Sequence, residues 1–121
     1  MVDEAPMSPY LVEGIRLFNQ GDYFMCHETL EEHWVEAPKE DRDFLQGLIH
    51  VAVGLLHHGR GNAKGALLQF SKATKRLEAY PDSYQGVDVA AVRHFLSQAQ
   101  ESVESGERLE PPTLIKGDEA V

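Results

Sequence analysis

Apolar residues recur at helical spacing along most of the chain, and no segment shows the regular alternation that marks a β-strand. Ser, Asp and Asn stand at typical helix starts, and glycine at typical helix ends. The pattern predicts five helices, which begin after Ser8, Asp22, about Asp41, Asn62 and Asp88 and end at Asn19, before Pro38, near His58, at Leu77 and at Gly106. The sequence therefore predicts an all-α protein.

The third predicted helix is apolar around most of its circumference, which is typical of a helix at the centre of a fold. Gly47 and Gly54 lie on one side of it. Inside a helix each glycine costs roughly 1 kcal/mol relative to alanine. We therefore expect both glycines to lie where a neighbouring helix approaches closely.

An internal repeat with an offset of 40 residues relates the second and fourth helices. In each, a small residue and then a large apolar one follow a glycine turn, which is similar to the second helix of a tetratricopeptide hairpin. The aligned residues are Gly21-Asp22 with Gly61-Asn62, Cys26 with Ala66, Leu30 with Phe70, and His33 with Ala73. Two copies are too few for a solenoid. We predict a compact bundle of about five helices, built from two tetratricopeptide-like hairpins plus a C-terminal helix.

The predicted bundle occupies residues 1–106 as a single helical domain, and residues 107–121 form a C-terminal tail. The tail has no periodicity, but Leu114 and Ile115 are expected to dock on the body. Five short helices cannot easily hide this much apolar helix surface. We therefore also expect a homo-oligomer, with a dimer favoured.

The chain is acidic, with 20 acidic and 11 basic side chains and a formal net charge of −9. The basic residues form at most a loose stripe, so nucleic-acid binding is not expected. No apolar run approaches the roughly 18 residues of a membrane-spanning helix, and the N-terminus lacks the pattern of a secretory signal. Cys26 is the only cysteine, which excludes an intrachain disulfide. These features predict a cytoplasmic protein without membrane contact.

Candidate chemistry is concentrated in the stretch HETLEEHW, residues 27–34. It begins like the zinc-protease signature H-E-x-x-H, but Glu31 stands where the second histidine would be. A short turn near Pro38 should pack the second and third helices antiparallel, so that residues whose numbers sum to roughly 77 lie at similar heights. This predicts a polar seam between helices two and three, formed by His27, Glu28, Glu31, Trp34, Arg42, Gln46, His50 and His57.

Two interpretations of this seam stay open. In the preferred one, the polar groups satisfy one another in a non-enzymatic binding or structural module, because polar side chains between helices are usually paired. In the alternative, His27, Glu31 and His50 bind zinc, iron or manganese, and Glu28 is the general base of a metal-dependent, hydrolase-like enzyme. A divalent metal is thus the cofactor that the residues indicate, and neither interpretation specifies a small-molecule ligand.

Two further residues of the second helix have predicted packing roles. Trp34 lies one helical turn from Leu30 on the inward stripe, so we expect a core anchor rather than a surface recognition residue. Cys26 aligns with a small packing position and is expected to be a buried structural thiol.

These residues also carry a resemblance to the domain-of-unknown-function 309 family, over about residues 10–80. The motifs are Phe18-Asn19-x-Gly21-x-Tyr23-Phe24, His27-Glu28-x-Leu30-Glu31-x-x-Trp34, Arg42-x-Phe44-x-Gln46-Gly47-Leu48-Ile49 with Ala52 and His57, and Gly61-Asn62-x-x-Gly65-Ala66. The resemblance implies a small all-helical protein without an assigned activity. His50 departs from the family pattern, which has glutamine at this position.

Overall fold

The computed structural model describes residues 7–114, which form five α-helices and one short β-hairpin. Consecutive helices pack against each other, α1 on α2, α2 on α3, α3 on α4 and α4 on α5. The elements are α1 (Pro9–Asn19), α2 (Tyr23–Glu36), α3 (Lys39–Gly59), α4 (Ala63–Leu77), β1 (Ser83–Tyr84), β2 (Val87–Asp88) and α5 (Val89–Ser105). The predicted all-α bundle is confirmed.

Side-chain caps begin four of the five helices, as predicted. The side chains of Ser8, Asp22, Asn62 and Asp88 each accept a hydrogen bond from a backbone N–H in the first turn of the helix that follows. The exception is α3, which begins at Lys39, somewhat before the predicted start, and has no side-chain cap. A proline before the first turn presets the backbone, and two acidic residues in that turn complement the helix dipole.

The connection between α4 and α5 contains a feature that the hydrophobic pattern missed. β1 and β2 pair antiparallel, with Ser83 opposite Asp88 and Tyr84 opposite Val87. Their two-residue connection, Gln85-Gly86, has positive φ at both positions, 49° and 81°, which fits a type I′ hairpin turn. The hydrophobic pattern could not indicate these strands, because a strand of two residues is too short to show alternation.

The central helix is α3, nine of whose residues are buried. A Cβ atom on Gly47 would lie 2.4 Å from the Leu77 side chain of α4, and one on Gly54 would lie 2.5 Å from the Phe70 ring. Both distances are far below a van der Waals contact. The two glycines therefore allow the close approach of α4 to α3 that the sequence predicted.

The predicted repeat corresponds to two helix hairpins, α1–α2 and α3–α4. The glycines before α2 and α4, Gly21 and Gly61, both have positive φ, 85° and 77°. His33 is the aligned residue that departs from the pattern, because it is only partly buried and stacks on Tyr10 with 5.8 Å between ring centroids. The other aligned residues are buried, namely Cys26, Leu30, Ala66, Phe70 and Ala73.

The segment after α5 returns to the body of the protein. Leu109 and Leu114 are buried, and the Leu114 N–H donates a hydrogen bond to Asn19 Oδ1 at 3.2 Å. The Asp88 N–H in turn donates to the Leu114 carbonyl at 2.7 Å. The expected docking of Leu114 is thus observed, whereas Ile115 lies outside the described residues. The division into residues 1–106 and 107–121 stays a prediction.

A helix must be long and apolar to cross a lipid bilayer. Within residues 7–114, none of the helices has the length and apolar character to do so.

Candidate functional site

Three of the predicted site residues form a group on the surface of α2. His27 Nε2 lies 3.6 Å from Glu31 Oε2, one helical turn away, and His27 Nδ1 lies 3.8 Å from Glu28 Oε2. One ligand atom of each residue lies within 4.8 Å of the others. We call these three residues the α2 cluster.

The position of His27 is fixed by a backbone carbonyl. Its Nδ1 lies 3.2 Å from the carbonyl oxygen of Phe24, so the tautomer that is protonated at Nδ1 donates a hydrogen bond there. The lone pair of that tautomer is on Nε2, the nitrogen nearer to Glu31. Metal-binding histidines commonly use one ring nitrogen in this way and the other for the metal.

The two carboxylates of the α2 cluster are exposed, at 49% for Glu28 and 53% for Glu31, while His27 is 21% exposed. Exposed polar contacts of this kind contribute little to stability. One imidazole and two carboxylates are, however, a donor set that zinc, iron or manganese accepts. The α2 cluster therefore contributes little to the stability of the fold, while its donor atoms are of the kind that bind such metals.

His50 does not join the α2 cluster. Its Nδ1 lies 2.8 Å from Gln69 Oε1 of α4, and within residues 7–114 it belongs to no group of three or more potential metal ligands. The structure therefore does not assemble the predicted metal set of His27, Glu31 and His50. Equal height on two antiparallel helices did not bring these side chains together, because His50 is rotated towards α4.

A groove runs along the outer face of α3, between α2 and α4. It consists of two adjoining cavities of about 540 and 370 Å³, which share Asp43, Gln46 and Arg76. We call it the basic groove and define it by the residues that line it: Trp34, Lys39, Arg42, Asp43, Gln46, His50, Lys72, Lys75 and Arg76.

The basic groove is a cationic region of an acidic protein. It contains five of the 11 Lys and Arg residues but only one of the 20 Asp and Glu residues, Asp43. That carboxylate is already paired, with 2.6 Å between its Oδ1 and Arg76 Nη1. By contrast, Lys39, Lys72 and Lys75 take part in none of the ion pairs formed within residues 7–114. The groove therefore carries uncompensated positive charge.

His50 lines the basic groove as a neutral side chain at pH 7. Burial is the main cause that lowers the pKa of His50; the hydrogen bond to Gln69 opposes this effect, and the charges of Lys72 and Arg76 add to it. When neutral, His50 can donate from Nδ1 to Gln69 and accept at Nε2. The positive charge of the groove at neutral pH therefore comes from lysine and arginine alone.

Trp34 and Arg42 form one end of the basic groove. The guanidinium carbon of Arg42 lies 4.9 Å from the centroid of the Trp34 ring, and the guanidinium donates to the Val35 and Ala37 carbonyls at the end of α2. Trp34 packs against the core but is only partly buried, so the expected core anchor is found in part. Its buried indole N–H has no acceptor within the described residues.

The other members of the predicted seam lie in different places. Gln46 lines both cavities of the basic groove. His57 lies near the α3–α4 turn, with 3.4 Å between its Nδ1 and Asn62 Nδ2. The predicted seam thus divides into the α2 cluster, the basic groove and an isolated histidine.

Sequence reasoning identified Arg42 as a site residue but not the other four cations of the basic groove, which are Lys39, Lys72, Lys75 and Arg76. Lys75 and Arg76 follow Lys72 by three and four residues, which places all three on one side of α4. That spacing is the signal that could have indicated them. Lys39 lies far from them in the sequence, and only the packing of α3 on α4 brings the four into one region.

The family model described as Domain of unknown function (DUF309) matches residues 11–68. Uncharacterized protein YpuF of Bacillus subtilis (strain 168) is 34% identical over 87 residues, which are 69% of this chain and 50% of YpuF. An uncharacterized protein of Aquifex aeolicus (strain VF5) is 28% identical over 110 residues, which are 90% of this chain and 33% of that protein. The chain therefore spans about half and about a third of the lengths of these relatives.

These matches confirm the predicted family resemblance and indicate no activity. The matched residues 11–68 include the α2 cluster and the parts of α2 and α3 that line the basic groove. They end before Lys72, Lys75 and Arg76. The cationic residues of α4 therefore lie outside the part of the chain that the family model matches.

Proposed function

We propose that this chain, whose residues 11–68 carry the match to the DUF309 family, is a non-enzymatic binding module with its ligand site in the basic groove. The observation that carries this proposal is the set of polar and cationic side chains from three helices that line one groove. Binding sites of this kind combine a preformed concave surface with a few directed polar groups.

The hydrogen bonding of the groove supports a ligand surface over a structural network. In a structural seam, the polar groups would pair with one another, because buried polar groups are normally satisfied. Gln46 is only partly buried and makes no side-chain hydrogen bond within residues 7–114, so its amide is available to a ligand. The buried side-chain polar atom without a partner within these residues, Trp34 Nε1, also belongs to a residue that lines the groove.

The state of Cys26 argues against an enzyme that uses a thiol nucleophile. It is the only thiol of the chain and is fully buried. Burial raises the pKa of Cys26 to about 12, with a smaller contribution from the charge of Asp22. A thiol in this state is not a nucleophile at neutral pH.

The proposal is tested by recording backbone amide spectra of the ¹⁵N-labelled protein with mixtures of neutral, cationic and anionic fragments. If the groove is the ligand site, amide shifts should include residues 34–50, whichever fragment binds. Shifts confined to α4 and α5 would contradict the proposal, since another cavity between these helices is lined by Phe70, Lys75 and Leu96.

A second candidate function is metal binding by the α2 cluster. It is favoured by the three ligand atoms within 4.8 Å and by the Phe24 carbonyl that leaves His27 Nε2 available. His27, Glu28 and Glu31 would hold zinc, iron or manganese. A bound divalent metal would acidify a water ligand, which is the chemistry that a hydrolase-like enzyme needs.

A melting series separates the metal candidate from a purely structural α2 cluster. Wild type, His27→Ala and Glu31→Gln are each melted with chelator and with micromolar zinc or manganese; His94→Ala on α5 is the control, because His94 is exposed and outside the cluster. If the native state binds metal, added metal should raise the melting temperature of wild type and of the control relative to chelator, but not that of the two cluster variants. This rise should disappear at low pH, because protons compete for the imidazole. No metal response in wild type would exclude the candidate.

A further inference from the structure

We infer that the basic groove binds a small anion with at least two phosphate groups. The inference rests on the proposed binding function and adds the chemical class of the ligand. It is carried by the distribution of charge between the two cavities of the groove.

Positive charge is present in both cavities. Lys39 and Arg42 line the cavity beside Trp34, Lys72 and Lys75 line the cavity beside His50, and Arg76 belongs to both. A ligand with a single carboxylate has two oxygens and can pair with few of these cations. Two linked phosphates carry more charge, and they offer enough oxygens for several ammonium and guanidinium donors.

The groups between the cations also suit a phosphate ligand. Gln46 lines both cavities and can donate from its amide. Asp43 is the single acidic residue of the groove, and its pairing with Arg76 at 2.6 Å removes most of its repulsion. The neutral His50 adds an acceptor at Nε2 for a ligand hydroxyl or protonated phosphate.

The charge of the whole molecule favours a small ligand over nucleic acid. The chain has a net charge of −9, and within residues 7–114 no acidic side chain is buried and all except Asp43 lie outside the groove. A long polyanion would leave the groove and meet this negative surface, where it is repelled. A small diphosphate stays within the groove and avoids that repulsion.

The inference is tested by isothermal titration with inorganic pyrophosphate at low ionic strength, without added metal. The variant Lys72→Gln/Lys75→Gln removes two groove cations that have no ion pair within residues 7–114. The matched control, Arg60→Gln/Lys64→Gln, removes the same charge from exposed residues that do not line the groove. All four sites are exposed, so both variants should fold, and circular dichroism melting verifies this.

We expect one pyrophosphate site in wild type and in the control, and an affinity at least about tenfold weaker in the groove variant, since two close charges are lost. Equal weakening in both variants would overturn the inference, because it would indicate diffuse attraction. Tighter binding of citrate than of pyrophosphate would overturn the inference, because it would indicate a carboxylate ligand. Tighter binding of a single-stranded oligonucleotide than of pyrophosphate would also overturn it, because it would indicate a nucleic-acid ligand.

The failure of this inference is distinguishable from the failure of the proposed function. If fragments shift the amides of the groove and pyrophosphate does not bind, the groove is a ligand site for another class and only the inference is overturned. If fragments shift amides elsewhere, the proposed function fails as well.

Discussion

His50 is the residue whose surroundings differ most from those inferred from its position in the sequence. It lies four residues after Gln46, so the two share one face of α3, and both line the basic groove. Its partner is Gln69 of α4, and not His27 of α2. Spacing determines the face of a helix on which a residue lies, but the rotation of that helix between two neighbours determines what the side chain contacts.

The lowered pKa of His50 predicts how stability depends on pH. Because the pKa of His50 is lowered in the folded state, the unfolded chain binds the proton more readily. The contribution of His50 to the free energy of unfolding is therefore complete above the pKa of an unfolded histidine, about 6.5, and is lost as the pH falls below it. The groups that face His50 are Gln69, Lys72 and Arg76. Urea unfolding between pH 7.5 and 5.5 should therefore show a steeper loss of stability in wild type than in His50→Gln. Parallel curves would contradict the lowered pKa.

Gly54 predicts a strong and local effect of substitution. A leucine there would meet the Phe70 ring, since even its Cβ would lie 2.5 Å from Cε1. Overpacking of this kind costs roughly 1–3 kcal/mol, so Gly54→Leu should lower the melting temperature by at least about 4 °C. Gly59→Ala is the control, because a Cβ at Gly59 meets nothing within 4 Å. Equal melting of Gly54→Leu and wild type would contradict the close contact of α3 and α4.

At the scale of elements, helix ends could be predicted because their causes are local. Asp22, Asn62 and Asp88 cap the helices that follow through bonds to residues only three positions ahead. The β-hairpin was missed because its strands contain two residues each. The α2 cluster was found because its members lie on one helix, whereas the members of the basic groove come from three.

Trp34 links α2 to the basic groove and gives that region a spectroscopic signal. As the only tryptophan, partly buried against the core, it should have blue-shifted emission. In a protein of net charge −9, iodide is repelled from an average surface position, and added salt strengthens its quenching there. The cations of the groove should attract iodide, so inert salt should weaken the quenching of Trp34 by iodide. Quenching by iodide that inert salt strengthens would contradict a positive potential in the groove.

At the scale of the whole molecule, the fold could be predicted more completely than the site. The hairpins and the central position of α3 follow from apolar periodicity, because burial of that surface leaves few arrangements. The basic groove depends on Lys39 and Arg42 facing Lys72, Lys75 and Arg76 across two helices. Periodicity along the chain cannot predict which residues of α3 lie opposite which residues of α4.

Self-association is a further proposal at this scale. Phe24 and Val35 are 48% and 63% exposed and lie about three turns apart on the same side of α2, which makes that side a candidate dimer surface. Sedimentation should show a dimer of wild type and a monomer of Phe24→Ser/Val35→Ser. Leu68→Ser is the control, since Leu68 is equally exposed but lies on α4. A monomeric wild type at about 100 μM would contradict the proposal.

The most direct test of the ligand groove is the emission of Trp34 during titration with pyrophosphate. Because Trp34 is the only tryptophan and lines the groove, a ligand bound there should change its emission saturably, at the same concentrations that produce heat in calorimetry. Lys72→Gln/Lys75→Gln should shift that change to higher concentration, and Arg60→Gln/Lys64→Gln should not. Binding heat without any change in Trp34 emission would place the anion elsewhere on the protein and contradict the account.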